Sequence, residues 1–380
     1  MKDVIRYLID GIFTTPMNKA KRYNNTKLAL NLTGTFLGWG FLFVIVYMGW
    51  SYTFESWAYS VSSSTYISLL IFTAIIGIIE WVIFFPLSFY NGYLLEHKYE
   101  LSNQTLKKYF WENIKGLMVG IVIGVPILVT FYFFLETFKE NWWIPVGIFM
   151  FVLTIILGRL APVLIFPLFY KFKIIEDEEL ASLIKKRCKS VGMKVEGIYQ
   201  FNMSKNTKKA NAAFTGIGKS KRVILGDTLI DNFISEEIDA ILAHELGHFK
   251  LNHLWKMMMF GTLLTFLGLW IVSVIYSKWI IFFGFSDITQ FAVLPLLGLI
   301  MGIYGLVTGP IQNSVSRHHE READQFSREL LGNSKQMIAA LEKLAEQNLA
   351  DRDPHPVVEF LFHSHPSIKH RIERLEIFTE

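Results

Sequence analysis

Residues 235–277 read SEEIDAILAHELGHFKLNHLWKMMMFGTLLTFLGLWIVSVIYS, and this run decides the fold. Its first part holds His244-Glu245-Leu246-Gly247-His248. Its second part, from Met257 onward, carries no Asp, Glu, Lys or Arg over about 20 residues, the length that crosses a bilayer. Two histidines four apart on a helix lie on one face, one turn above the other, so their imidazoles can grip one ion. Glu245 is displaced by about 100°, the angular step per helical residue. It therefore misses the metal yet reaches a coordinated water as general base. Zinc in such a site lowers the pKa of that water and polarises a peptide carbonyl. Ser235 reads as the N-cap, with Glu236 and Glu237 in the first turn. The helix is expected to continue through Leu254 and Trp255 towards the apolar run.

Composition supports a membrane protein. Hydrophobic residues make up 52% and charged residues 18%, with 33 Phe and 10 Trp. Cys188, the single cysteine, excludes an internal disulfide and reads as a small buried hydrophobe. A net charge of +4, widely dispersed, gives no reason to expect nucleic acid. The expected fold class is mainly α: a polytopic membrane protein of about six transmembrane helices, with a cytoplasmic zincin-like α+β metalloprotease insert.

Residues 1–27 are basic and only weakly apolar, a cytoplasmic lead-in without the build of a signal peptide. Apolar spans follow at 28–54, 64–90, 116–135, 142–169, 257–277 and 288–309. The domains are then 28–170, with four membrane helices; 171–256, the insert; 257–310, with two membrane helices; and 311–380, a helical C-terminal region. Lys and Arg crowd the lead-in, residues 92–115 and the segments after spans four and six. The opposite turns hold only Lys139 and Lys278. Both termini and the insert are therefore expected in the cytoplasm, with Trp142, Trp143 and Trp279 at the outer interface. Glu80 and Arg159 interrupt spans. Such groups face a common cavity as a charge pair or singly, or snorkel to an interface.

Within the insert, 176–190 reads as an amphipathic helix with Leu180, Ile184 and Cys188 on one side. Strand-like runs follow at 195–202, 211–217 and 222–229, with a turn at Gly218-Lys219-Ser220.

Two histidines leave a catalytic zinc site one protein ligand short. Leu251 and Leu254 occupy the positions where one zincin class places a Gly and a third His, so that option is excluded. His253, five residues after His248, is off the metal face of a continuous helix and reads as a polar residue at the membrane border. The candidate is Glu320, in Ser316-Arg317-His318-His319-Glu320-Arg321-Glu322-Ala323-Asp324. His248 lies about 13 Å before span five and Glu320 about 15 Å after span six, at helical rise. The two spans go out and back, so both ligands emerge on one side. Asp324 shares the face of Glu320 and can orient a ligand histidine or assist catalysis. Ala323 leaves room for close helix approach. Glu322 points away, and His318 and His319 read as solvated neighbours.

These residues resemble the type I CAAX prenyl proteases, integral-membrane zinc endopeptidases of the gluzincin class. The resemblance covers about 85–375. It rests on the His244–His248 pentad; on Ser316-Arg317 with Glu320 and Ala323-Asp324; on Asn211-Ala212 leading to Phe214-Thr215-Gly216 and Lys221 to Leu229; and on His365-Pro366 with Arg371. Phe85 to Asn91 and Asn103-Gln104-Thr105 also look like the family. It implies one Zn2+ held by His244, His248 and Glu320, with Glu245 as base and Asp324 assisting. It implies that Asn211 and Ala212 pair with the substrate backbone, and that His365 and Arg371 stabilise the oxyanion. It also implies a membrane chamber and a peptide substrate that is lipidated or membrane-bound. Asn206, Lys209 and Ala213 stand where members often carry Arg, His and an aromatic, and the additional leading span of eukaryotic members is not found. The substrate reading stays open between prenylated C-terminal motifs and membrane proteins undergoing quality control. The rival functions are a silent zinc-binding scaffold and a transporter.

Overall fold

A backbone in hydrocarbon has to satisfy its own N–H and C=O groups, so apolar stretches of this length become helices. The computed structural model describes residues 18–215 and 222–377. Among them, six helices are long and apolar enough to cross a membrane. The first four include α1 (Lys19–Tyr47), followed by the short α2 (Trp50–Val61), then α3 (Thr65–Lys98), α4 (Leu106–Asn141) and α5 (Trp143–Phe169). The insert contains β1 (Phe172–Ile174), α6 (Glu178–Ser190), β2 (Gly197–Phe201), β3 (Ala212–Thr215), β4 (Arg222–Gly226), α7 (Asp227–Asn232) and α8 (Ser235–Lys250). The remaining spans are α9 (His253–Phe282) and α10 (Phe291–Leu331). Behind them come α11 (Lys335–Gln347), α12 (Pro356–Phe362) and α13 (Ile368–Glu376).

The stretch 28–54 is not one helix. Gly49 sits at φ 72°, a left-handed conformation that ends α1 and sends α2 off as a separate segment. Helix α1 also begins at Lys19, inside the basic lead-in, whose residues 1–17 lie outside the described ones.

The membrane core gathers Phe72, Tyr132, Trp142, Tyr276 and Phe291. Trp142 is 1% exposed and packs edge-on to Phe131, so it is a core residue and not a lipid-border anchor. Glu55 of α2 accepts hydrogen bonds from the N–H groups of Phe291 and Ala292, at 3.0 and 3.3 Å. It satisfies donors that the start of α10 would otherwise leave bare. Helices α9 and α10 approach closely because Gly268 has no side chain. A Cβ there would lie 2.4 Å from the Tyr304 ring, whose hydroxyl donates to the Leu264 carbonyl at 2.6 Å. No ion pair joins Glu80 to Arg159 among the described residues: Arg159 is exposed, and Glu80 is half-buried near Gly38.

The sheet order is β1-β2-β4-β3. Strand β2 runs parallel to β4, while β1 and β3 are antiparallel to their neighbours. Strand β1 is hidden in the sequence, at the end of an apolar span. The run 222–229 is strand only to Gly226, where α7 begins. Gly218-Lys219-Ser220 lies outside the described residues. Helix α8 packs one stripe, Ile238, Leu242 and Leu246, into a core with Val223 and Leu225 of β4 and Leu180, Ile184 and Cys188 of α6. That contact fixes the rotation of α8 and turns His244 and His248 towards α10.

Candidate metal centre

Helix α8 begins with Ile234, not Ser235, in the capping position, and Glu237 Oε2 accepts the Ile234 N–H at 3.1 Å. Its opposite face meets α10 at small residues. A Cβ on Gly247 would lie 3.0 Å from Ala323 Cα and 3.2 Å from the Ala323 carbonyl, so the two backbones nearly touch. Ser327 adds a hydrogen bond to the Ala240 carbonyl at 3.2 Å.

This crossing brings the two histidines and Glu320 together. His244 Nε2 and His248 Nε2 are 3.2 Å apart. Glu320 Oε1 is 3.2 Å from His248 Nε2, and Oε2 is 3.4 Å from His244 Nε2. His244 and Glu320 are buried, whereas His248 is half-buried. Behind His244, Asp324 Oδ1 lies 2.8 Å from Nδ1. Asp324 in turn accepts a bidentate pair from Arg371 of α13, Nη2 to Oδ1 at 2.6 Å and Nε to Oδ2 at 2.9 Å. The Arg371 fork is thus spent on Asp324, with Nη1 only as near as 3.9 Å to Glu320 Oε2. Burial opposes a charge on His244, but Asp324 and Glu320 outweigh it and lift its pKa to about 9. The pocket is built to hold positive charge. Glu245 is half-buried and has no hydrogen-bond partner among the described residues.

His365 is exposed, its Nδ1 2.8 Å from Glu320 Oε2, yet Oε2 accepts no well-formed hydrogen bond. A buried carboxylate oxygen without such a bond, beside two imidazoles, fits a cation-binding role. Arg317 places the His365 segment. Its Nη1 donates to the carbonyls of Glu359, Phe360 and His363, at 3.0, 3.3 and 2.6 Å, and closes the C-terminal end of α12. Asn211 is exposed and Ala212 half-buried at the start of β3, which packs against α8 and pairs on one side with β4. The Asn348 side chain accepts from Ala210 N at 2.8 Å and donates to its carbonyl at 3.3 Å, fixing the approach to that strand.

Two histidines were misplaced by the sequence pattern. Helix α8 stops at Lys250, because Asn252 is left-handed at φ 57°, and α9 starts anew at His253. His253 is 2% exposed, with Nδ1 2.9 Å from His248 Nδ1 and Nε2 3.1 Å from Glu322 Oε2. His319 is buried as well, stacked on His253 at 4.2 Å, and only His318 is solvated. The sequence marks Arg317 as part of a motif and not as a clamp. Its carbonyl partners lie some 40 residues away in sequence, by the separations of its bonds, and no local signal announces them.

The fold and the site together define a membrane metalloprotease. The family model for peptidase family M48 matches residues 175–378, and that for the CAAX prenyl protease N-terminal region, described as five membrane helices, matches 7–171. The chain belongs to peptidase family M48. It is 31% identical over 335 residues to CAAX prenyl protease 1 of Saccharomyces cerevisiae, covering 83% of this chain and 74% of that one. It is 27% identical over 361 residues to the Bacillus subtilis protein called uncharacterized metalloprotease YhfN, covering 94% and 84% respectively. The crystal structure of S. mikatae Ste24p superposes with a TM-score of 0.84 at 27% identity, over 98% of this chain and 93% of the other.

Proposed function

We propose that this protein is a zinc endopeptidase that cleaves membrane-tethered peptides, with one zinc held by His244, His248 and Glu320. The supporting observation is the convergence of these groups: the two Nε2 atoms are 3.2 Å apart, Glu320 Oε1 lies 3.2 Å from that of His248, and Oε2 lies 3.4 Å from that of His244. A tetrahedral zinc with bonds of about 2.0–2.1 Å has ligand–ligand edges of about 3.3 Å. Donor separations of this size support the reading that the three groups would hold one such ion. Zinc bound there supplies Lewis-acid polarisation of the scissile carbonyl and acidifies water.

The chain's own groups do the rest. Glu245, half-buried and without a side-chain hydrogen bond among the described residues, takes the proton of the attacking water and returns it to the leaving amine. Asp324 holds the Nδ1 side of His244, so that Nε2 faces the metal, and assists catalysis through that ligand. His365, exposed beside Glu320, is placed to receive the developing oxyanion, and Arg371 supports it from behind by neutralising Asp324. Asn211 and Ala212 offer the open edge of β3 to an extended peptide. The site and both termini face the cytoplasm, following the Lys and Arg bias.

The substrate class draws on the yeast relative's name and on a cavity of ≈ 300 Å³ between α5, α9 and α10. It is lined by Met150, Met257, Met258, Leu264 and Tyr304, and Gln312 on its wall lies on the same helix as Glu320. Methionine-rich walls suit an apolar chain such as a prenyl group. Neither this cavity nor a larger one of ≈ 490 Å³, around Phe166, Lys173 and Tyr199, is lined by a metal-centre residue, but only the first is walled by the helix that carries Glu320. A second substrate reading, unmodified membrane-protein segments, is favoured by Lys209. That departure from the family pattern is engaged with Glu96 and the Tyr23 hydroxyl, at 3.0 and 2.9 Å.

Glu245→Gln tests the mechanism. It keeps its zinc and loses cleavage by about 10²–10⁴-fold, the usual contribution of a general base. Unchanged cleavage by that variant refutes the proposal. Matched farnesylated and bare peptides separate the two substrate readings.

A further inference from the structure

The break between α8 and α9 has a chemical purpose. On an unbroken helix His253 would stand about 140° from His248, five steps of about 100° each, and out of reach. Left-handed Asn252 swings it back until the two Nδ1 atoms are 2.9 Å apart. We infer that His253, held by Glu322, is a positioning residue that fixes the tautomer and ring orientation of His248. This rests on the reading of His248 as a zinc ligand.

The proton positions close without conflict. His253 Nε2 lies 3.1 Å from a Glu322 oxygen, so this nitrogen carries the hydrogen and donates it to the carboxylate. In neutral His253 the Nδ1 atom is then an acceptor. Its neighbour, His248 Nδ1, has to be the donor, which leaves the lone pair on His248 Nε2, the nitrogen that faces Glu320 at 3.2 Å. Each hydrogen bond in the relay from Glu322 through His253 to His248 thus has one donor and one acceptor. The two ligand histidines are supported differently: His244 is backed directly by Asp324, and His248 through an intervening imidazole. His319 packs flat on His253, at 4.2 Å and 12°, and holds the relaying ring in its plane.

His253, His319 and Glu322 also lie close enough together to suggest a second ion site. The stacking argues against it. Nearly parallel rings send their lone pairs side by side, whereas ligands of one tetrahedral ion have to converge.

The experiment uses the full-length protein in detergent. It measures zinc stoichiometry, zinc retention against a competing chelator, and kcat and KM on a cleaved peptide. His253→Ala is expected to weaken zinc binding by about 10–100-fold, the usual cost of losing an outer-shell partner. His253→Gln presents a carbonyl acceptor to His248 and an N–H donor to Glu322, and restores most of the retention. His253→Met, similar in size but without that polarity, does not. At saturating zinc the fall is in kcat, with KM little changed. Where His253→Ala does not fold, the Gln and Met variants decide the matter between themselves. Equal retention in the Gln, Met and wild-type proteins overturns the relay. Two zinc ions in wild type falling to one in His253→Met also overturns it, in favour of the second ion site. A wild type that holds no zinc sinks the proposed function itself, and is told apart by the stoichiometry.

Discussion

Gly247→Ala puts the two parts of the metal centre in competition with helix propensity. Gly247 has ordinary helical geometry, so alanine there gains about 1 kcal/mol of propensity. Against this, the new Cβ would sit 3.0 Å from Ala323 Cα, 3.2 Å from the Ala323 carbonyl and 3.2 Å from Phe326 Cβ. Carbon atoms prefer about 3.5–4.0 Å, so α8 and α10 have to part by about 0.5–1 Å. Overpacking of this kind costs about 1–3 kcal/mol, which leaves the metal-free protein destabilised by only about 0–2 kcal/mol. The metal centre suffers more. Glu320 lies one turn from Ala323 and moves with it, and a zinc site tolerates errors of about 0.2 Å in its distances. Zinc retention should therefore fall at least tenfold in a chelator competition, while the metal-free melting temperature falls by no more than about 8 °C. Adding Ala323→Gly does not rescue the variant, because the obstructing atoms are mostly backbone. A Gly247→Ala protein that holds zinc within about twofold of wild type refutes the claim that this crossing sets the donor spacing.

Two further predictions concern buried residues. Trp142→Ala removes a ring that is 1% exposed, and should lower stability by about 3–5 kcal/mol in a detergent unfolding titration; a surface-like loss below about 0.5 kcal/mol would contradict its burial. The Cys188 thiol is pushed up by burial to about 11, so the folded state holds its proton where an unfolded chain, with a pKa of about 8.5, has released it. The stability tied to this proton is intact below about pH 8.5 and is lost as pH rises from there to about 11. In native protein at pH 8 the thiolate is about one part in a thousand, so labelling by a thiol reagent is slow until the chain unfolds. Fast labelling of the folded protein would oppose this.

What the sequence revealed follows from the reach of each signal. The pentad and the charge-free runs are local, and helical geometry converts them directly into a metal face and membrane spans. Glu320 was reachable because two successive spans bring their flanks back to one side. His253 was not, because its position depends on one left-handed residue, and Asn252 does not look different from any other asparagine in the sequence. On a continuous helix neither His319 nor Glu322 has this partner, so the pattern reads His319 as solvated and Glu322 as pointing away from the metal. Trp142 failed for another reason: composition places tryptophan at lipid borders, but the surrounding helix ends bury this one. The short β1 has no pattern of its own and exists through its pairing with β2.

Both metal-bearing helices are interrupted where they pass into the apolar region. Helix α8 gives way to α9 at Leu251 and Asn252, and α10 contains Pro310, whose ring removes one rung of the backbone ladder. Beyond these joints the two helices are packed closely together at the crossing of Gly247 and Ala323. A tilt of the spans imposed by thinner or thicker lipid has these joints at which to bend, much as a gimbal keeps a compass level. The spacing of His244, His248 and Glu320 is then insulated from the thickness of the membrane.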